Sequence, residues 1–151
     1  MTHAPLFVRA PNPLVRRLLR IGLPAGPNVL LTVKGRTSGL PRTAPVAVPE
    51  IDGRRFAIGA YGDVHWVRNL RAAGTAEIRL HGKAVPVTAR ELDREEATRF
   101  FGDTVPAYVA TLPWIGRLFA RVLFRVAAPE VLDDPDRAAA TRPVFELRTQ
   151  P

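Results

Sequence analysis

The sequence predicts an α+β fold: a small antiparallel barrel decorated by helices. Three observations predict it. Strand-like apolar runs cluster between Asn28 and Ala89. Two of the joints between them, Asp52-Gly53 and His81-Gly82, carry hairpin-turn chemistry. Helical patterns surround the cluster instead of alternating with it strand by strand, which argues against a parallel sheet. A chain of 151 residues suits one hydrophobic core.

Taken in order, residues 1–11, with Pro5 and Pro11, read as an extended tail, and 12–151 as a single domain with an amino-terminal helix and a carboxy-terminal helical cover. Asn12-Pro13 is a helix start, an N-cap acceptor followed by a proline whose missing N–H costs nothing there. Leu14, Leu18 and Ile21 share one face of that helix and Arg16 and Arg20 another, until Pro24-Ala25-Gly26-Pro27 breaks it. Val29–Val33 is a compact apolar strand followed by a Gly/Ser/Pro loop from Gly35 to Pro41. Thr43–Val48 and Arg55–Tyr61 are two more strands around the Asp52-Gly53 turn, and Ala76–Leu80 turns at His81-Gly82 into a partner through Val85, Val87 and Ala89. A short helix lies between these pairs, with Asp63 as N-cap and Gly74 just past its end. Asp93-Arg94-Glu95-Glu96 is the aspartate form of a capping box and opens a second helix. A third is expected over Leu112–Val126 and a last strand over Val144–Leu147.

The net charge of +8 is unevenly placed. Residues 1–49 carry seven bases and no acid, 50–103 balance, 104–129 hold Arg117, Arg121 and Arg125, and the rest is slightly acidic. That asymmetry points to an anion met at specific places. The absence of cysteine removes disulfides, thiolate nucleophiles and Cys-based zinc sites, and three dispersed histidines give no metal-ligand spacing. No signal pattern and no long apolar run occurs, so a cytoplasmic protein is expected, with peripheral contact at the inner face of the membrane as the second expectation. No aromatic-interleaved basic strand or recognition helix suggests nucleic acid.

The stretch Gly35-Arg36-Thr37-Ser38-Gly39-Leu40-Pro41-Arg42 carries the most chemistry. Its glycines permit tight backbone geometry, Ser38 offers a hydroxyl, and Arg36 and Arg42 offer planar cationic forks suited to phosphate or carboxylate. An anion-binding loop and a plain hairpin loop with solvated arginines both fit. On the strand Arg55–Tyr61, Phe56, Ile58 and Ala60 face one way while Ala57, Gly59 and Tyr61 face the other. The small face leaves room either for a flat aromatic cofactor or for a closely packed helix. In the helix His65–Gly74, Trp66 and Asn69 are i,i+3 neighbours, so one can pack while the other hydrogen-bonds an adjoining loop. Trp66 reads as core, Asn69 as a structural hydrogen-bonder and His65 as a satisfied polar residue. In the helix after Pro113, arginines recur every four residues among Trp114, Leu118, Phe119, Val122 and Leu123. This suits an anionic membrane surface, a lid over a lipophilic pocket, or a core helix with one solvated stripe.

Together, the GR-x-SG-x-PR loop, the strand hairpin, the W-x-x-NL-x-A-x-G helix and the following hairpin resemble the deazaflavin-dependent nitroreductase family over about Val29 to Phe101. The resemblance implies a split β-barrel of the flavin-reductase/FMN-binding-like kind, and coenzyme F-420, an 8-hydroxy-5-deazaflavin, as cofactor. It implies that Arg36, Ser38, Gly39 and Arg42, with Thr37 between them, bind the coenzyme's phosphate and acidic tail. Gly59-Ala60-Tyr61 would lie beside the deazaflavin ring, with Trp66 and Asn69 supporting. Thr37 stands where members often carry lysine, Tyr61–His65 is shorter than their glycine/lysine-rich loop, and only Tyr108 answers to their carboxy-terminal tyrosines. The implied reaction is hydride transfer from the reduced deazaflavin to a hydrophobic quinone, enone or nitroaromatic acceptor, with Tyr61, Tyr108 and His65 as proton-donor candidates by type. The alternatives are a non-catalytic protein that binds F-420 or FMN, associated with a membrane surface, or a split barrel that prefers FMN.

Overall fold

The structure, a computed structural model, describes residues 28–127 and 133–150. The expected tail 1–11 and the Asn12 helix, with Leu14, Arg16, Leu18, Arg20 and Ile21, lie outside them. The described residues hold seven strands: β1 (Asn28–Lys34), β2 (Pro41–Ala47), β3 (Glu50–Ile51), β4 (Arg54–Ile58), β5 (Thr75–Leu80), β6 (Lys83–Glu91) and β7 (Val144–Thr149). They form one antiparallel sheet in the order β2-β1-β5-β6-β7-β4-β3, and the Ala47–Ile58 pairing between β2 and β4 closes six of them into a barrel. Both expected hairpin turns are two residues long with positive φ throughout, at Asp52 and Gly53 and at His81 and Gly82. That geometry matches the right-handed twist of the flanking strands.

Helix α1 (His65–Ala73) packs its Val67 and Leu70 into the barrel beside Leu31, Val46, Ala57, Ile78 and Phe145. It ends as the sequence predicts, with Gly74 in the left-handed conformation and its N–H on the Leu70 carbonyl. Its start differs. Val64 is the N-cap residue and makes no side-chain cap bond. The Asp63 carboxylate is instead engaged by Arg68 at 3.2 Å and Arg71 at 2.9 Å, and the pair, Arg71 foremost, holds it below the usual carboxylate range.

A second core lies outside the barrel wall. The capping box at Asp93 and Glu96 opens α2 (Arg94–Arg99), which runs through a π-helical turn, Phe100–Thr104, into α3 (Val105–Thr111). Phe100, Phe101 and Val105 from this stretch cover Ile51, Phe56 and Val144, joined by Ala138 of α5 (Pro135–Thr141). The last helix to place, α4 (Trp114–Ala127), falls where the third helix was expected. Strands β4 and β7 separate the two cores, so their residues alternate between them: Ala57, Phe145 and Leu147 point into the barrel, Phe56 and Val144 into the second core. Glu146 also points out of the barrel, is only 3% exposed, and takes ion pairs from Arg54 at 2.8 Å and from Arg90 and Arg148 at 3.2 Å. These guanidiniums, Arg54 first, hold its carboxyl at about 2 against the opposing effect of burial.

Candidate functional site

The loop between β1 and β2 is built for close backbone crossing. The Gly35 N–H donates to the Leu40 carbonyl at 2.8 Å and the Gly39 N–H to the Gly35 carbonyl at 2.9 Å. A Cβ at Gly35 would fall 2.7 Å from Ser38 Oγ, and Gly39 sits at φ +71°, so neither position accepts a side chain cheaply. Ser38 Oγ accepts the Leu40 N–H at 3.2 Å, so this hydroxyl braces the loop from within. The fold leaves Arg36, Thr37, Ser38 and Gly39 exposed on the loop and Arg42 exposed at the start of β2.

Asn69 fixes that loop to the body. It is buried, and its Oδ1 accepts both the Arg36 backbone N–H at 3.1 Å and Arg36 Nη1 at 2.7 Å. The division expected of the i,i+3 pair is therefore observed. Asn69 bonds the neighbouring loop, while Trp66, half-buried, packs against the barrel core with its ring 6.3 Å from that of Phe145. Asn69 takes one of the five N–H donors of the Arg36 guanidinium, and among the described residues the Arg42 side chain makes no hydrogen bond or ion pair. One further cation belongs here. Exposed Lys34 ends β1 opposite Pro41, and its Cε lies 3.7 Å from where a Cβ of Gly39 would be. The signal was present in the sequence, since Lys34 stands just before Gly35, the first residue of the loop.

The small face of β4 is occupied. A Cβ at Gly59 would stand 3.1 Å from Cδ and O of Pro143 and 3.2 Å from Cγ2 of Val67. The Gly59 N–H also donates to the Pro143 carbonyl at 2.7 Å. Of the two readings of the Ala57/Gly59 face, close packing is the one observed, with Pro143 and Val67 of α1 filling the space beside Gly59. The strand stops at Ile58, and the chain turns through Ala60 and Gly62. Ala60 is exposed and Tyr61 half-buried, with burial raising the Tyr61 hydroxyl above its ordinary value. His65 is exposed at the start of α1. Tyr108 lies on α3 against the second core, whereas the loop rests on α1, so these proton-donor candidates do not share one packing environment.

Two surface cavities lie elsewhere. One of about 240 Å³ is bordered by Arg71, Arg94 and Arg142, and one of about 330 Å³ by Arg54, Glu96 and Arg99. Among the described residues no helix is long and apolar enough to cross a membrane.

A protein-family model described as F420H2-dependent quinone reductase matches residues 14–113, about two-thirds of the chain. No curated protein matches the sequence. Among solved structures, a domain-swapped dimer is 24% identical, covering 94% of this chain and 97% of its own, with a TM-score of 0.50. A structure described as an F420-H2-dependent reductase, FDR-A, is 23% identical, covering 81% of this chain and 94% of its own, with a TM-score of 0.47. The first of these likenesses bears on the fold, and with it the six-stranded antiparallel barrel with flanking helices is the split-barrel fold that the sequence resemblance implied.

Proposed function

The chain belongs to the F420H2-dependent quinone reductase family and is thus a deazaflavin-dependent oxidoreductase, and on that premise we propose that its electron acceptor is a hydrophobic quinone, with enones and nitroaromatics as further acceptors. The observation that carries the site assignment is the Asn69-anchored loop. The fit to an anionic coenzyme is chemical: three exposed cations, Lys34, Arg36 and Arg42, flank a glycine loop whose hydroxyl and backbone groups are braced internally.

When bound in its reduced form, coenzyme F-420 supplies a hydride to an electron-poor acceptor. Arg36, Arg42 and Lys34 would neutralise its phosphate and acidic tail, with Thr37, Ser38 and Gly39 as the backbone between them. Asn69 keeps the Arg36 fork oriented before binding, which lowers the ordering cost of the complex. Ala60 and Tyr61 would border the reacting end. Tyr61 ranks first of the three proton-donor candidates by its place beside Ala60 just after β4, and burial, which raises its hydroxyl, makes it a weaker acid than a solvated phenol. FMN, the alternative cofactor, finds no support in the family match.

Titration of the purified chain with coenzyme F-420 and with FMN, followed by fluorescence, tests this reading. Saturable F-420 binding is expected, weakened roughly 5- to 150-fold in each of Arg36→Ala and Arg42→Ala, the range for a lost charged hydrogen bond of about 1–3 kcal/mol. Turnover of menadione by the reduced coenzyme is expected as well. Binding of FMN alone, or unchanged affinity in both variants, overturns the assignment.

A further inference from the structure

Helix α4 presents its apolar residues to solvent. Trp114, Ile115, Leu118, Phe119 and Val122 are 55–69% exposed, which overturns the core-helix reading of this segment. At 100° per residue these five occupy one continuous arc of about 140°. Exposed Arg117 and Arg121 lie along one flank of that arc and Arg125 continues their row across its edge one turn further on, while the less exposed Gly116 and Ala120 lie on the remaining side. We propose that this face docks in the plane of a lipid bilayer bearing anionic headgroups.

Charge and length select this occupant. No acid occurs between residues 104 and 129, so the arginine row has no counter-charge on its own element. A second copy laid antiparallel, face to face, would bring two arginine rows to the same seam, and a parallel one would set each row against a seam that offers it no acid. The amino-terminal segment is no better suited, because residues 1–27 carry four arginines and no acid. An anionic bilayer complements both features at once, with apolar side chains among the acyl chains, arginines at the phosphates, and Trp114 at the interfacial depth that indole prefers. The helix has 14 residues, about 21 Å of length against a hydrocarbon core of about 30 Å, so it lies in the interface and does not span it. This inference rests on α4 alone and stands apart from the acceptor assignment.

The test is sedimentation of the full chain with vesicles of 30% phosphatidylglycerol in phosphatidylcholine and with pure phosphatidylcholine vesicles. A second readout is quenching of tryptophan fluorescence by lipids brominated near the headgroup, in a Trp66→Phe background that leaves Trp114 as the reporter. Expected are binding to the anionic vesicles, quenching of Trp114, and salt sensitivity. Each neutralised arginine near the surface costs about fivefold, so Arg117→Gln/Arg121→Gln/Arg125→Gln should reduce partitioning on the order of a hundredfold. Phe119→Ser should weaken binding to the same vesicles while leaving the far-ultraviolet circular dichroism and melting temperature unchanged, since its side chain meets solvent. No binding to either vesicle, or binding indifferent to both sets of substitutions, overturns the proposal. So does a dimer in sedimentation velocity that Phe119→Ser converts to monomer, which would make the face a self-association surface.

Discussion

Replacing Asn69 by alanine removes one acceptor atom that serves two donors of a residue 33 positions away. The bond from the Arg36 guanidinium is charge-assisted, worth about 1.5 kcal/mol at the lower end of its class because Arg36 is exposed, and the backbone N–H adds somewhat under about 1 kcal/mol. A destabilisation of about 2 kcal/mol follows, and for a domain of this length a melting temperature lower by about 4–8 °C. The loop would lose its tether to α1, and F-420 affinity should fall about tenfold because Arg36 must then be ordered on binding. Stability alone does not separate a positioning role from a structural one, so the informative partner is Asn69→Asp. The carboxylate keeps both bonds and strengthens the hold on the guanidinium, yet cancels the charge Arg36 offers to an anion. Thermal melting and F-420 titration of both variants give the answer. Asn69→Asp should melt no lower than the parent while binding the coenzyme at least tenfold more weakly. If Asn69→Ala retains both the parental melting temperature and the parental affinity, the loop is not held by this contact and the positioning argument fails.

Two further outcomes follow from the packing. The Glu146 carboxyl sits at about 2 in the fold against 4.5 without its partners. Because the folded value is the lower one, its stabilisation is complete above pH 4.5 and is lost as pH falls from there toward 2. The stabilisation is at most about 3 kcal/mol, since the arginines that supply it are half exposed or more. Urea midpoints measured from pH 6 downward should fall more steeply for the parent than for Glu146→Gln, and parallel acid limbs would show that the carboxylate is not what the arginines stabilise. Gly59→Ala should cost about 1–3 kcal/mol, because its new methyl meets the Pro143 carbonyl and Val67 in a packed core; a variant that melts with the parent would mean the β4–α1 contact is looser than this.

What could be read from the sequence was local. Asp52-Gly53 and His81-Gly82 declare their turns because positive φ at consecutive residues restricts residue type, and Gly74 and the Asp93–Glu96 box declare helix ends in the same way. Asp63 misled because a carboxylate one residue before the true N-cap found two guanidiniums, a competition that composition does not reveal. Helix α5 was missed although Asp134-Pro135 repeats the cap-then-proline chemistry recognised at Asn12-Pro13. The π-turn at Phe100–Thr104 and the second core it serves depend on how three aromatic rings meet, and no periodicity announces that. Glu146 gathers arginines 92 and 56 residues away through strand register, so its burial was invisible before the barrel closed.

The candidate site shows the same division in a form that matters for function. Arg36 and Arg42 could be named from residue type and spacing, but which one is preorganised could not, because Asn69 reaches Arg36 only after α1 has docked on the barrel. The helix that contributes Val67 and Leu70 to the first core therefore also sets the orientation of the Arg36 fork. Under the proposed assignment, core packing and anion recognition share one element. A cavity cut under α1, at Leu70 for example, should disturb the loop as well as the fold, whereas an equal cavity in the second core, at Phe101, should lower stability and leave the loop's affinity intact. Coupling that followed stability alone, whichever core was cut, would show that α1 transmits nothing specific to the loop.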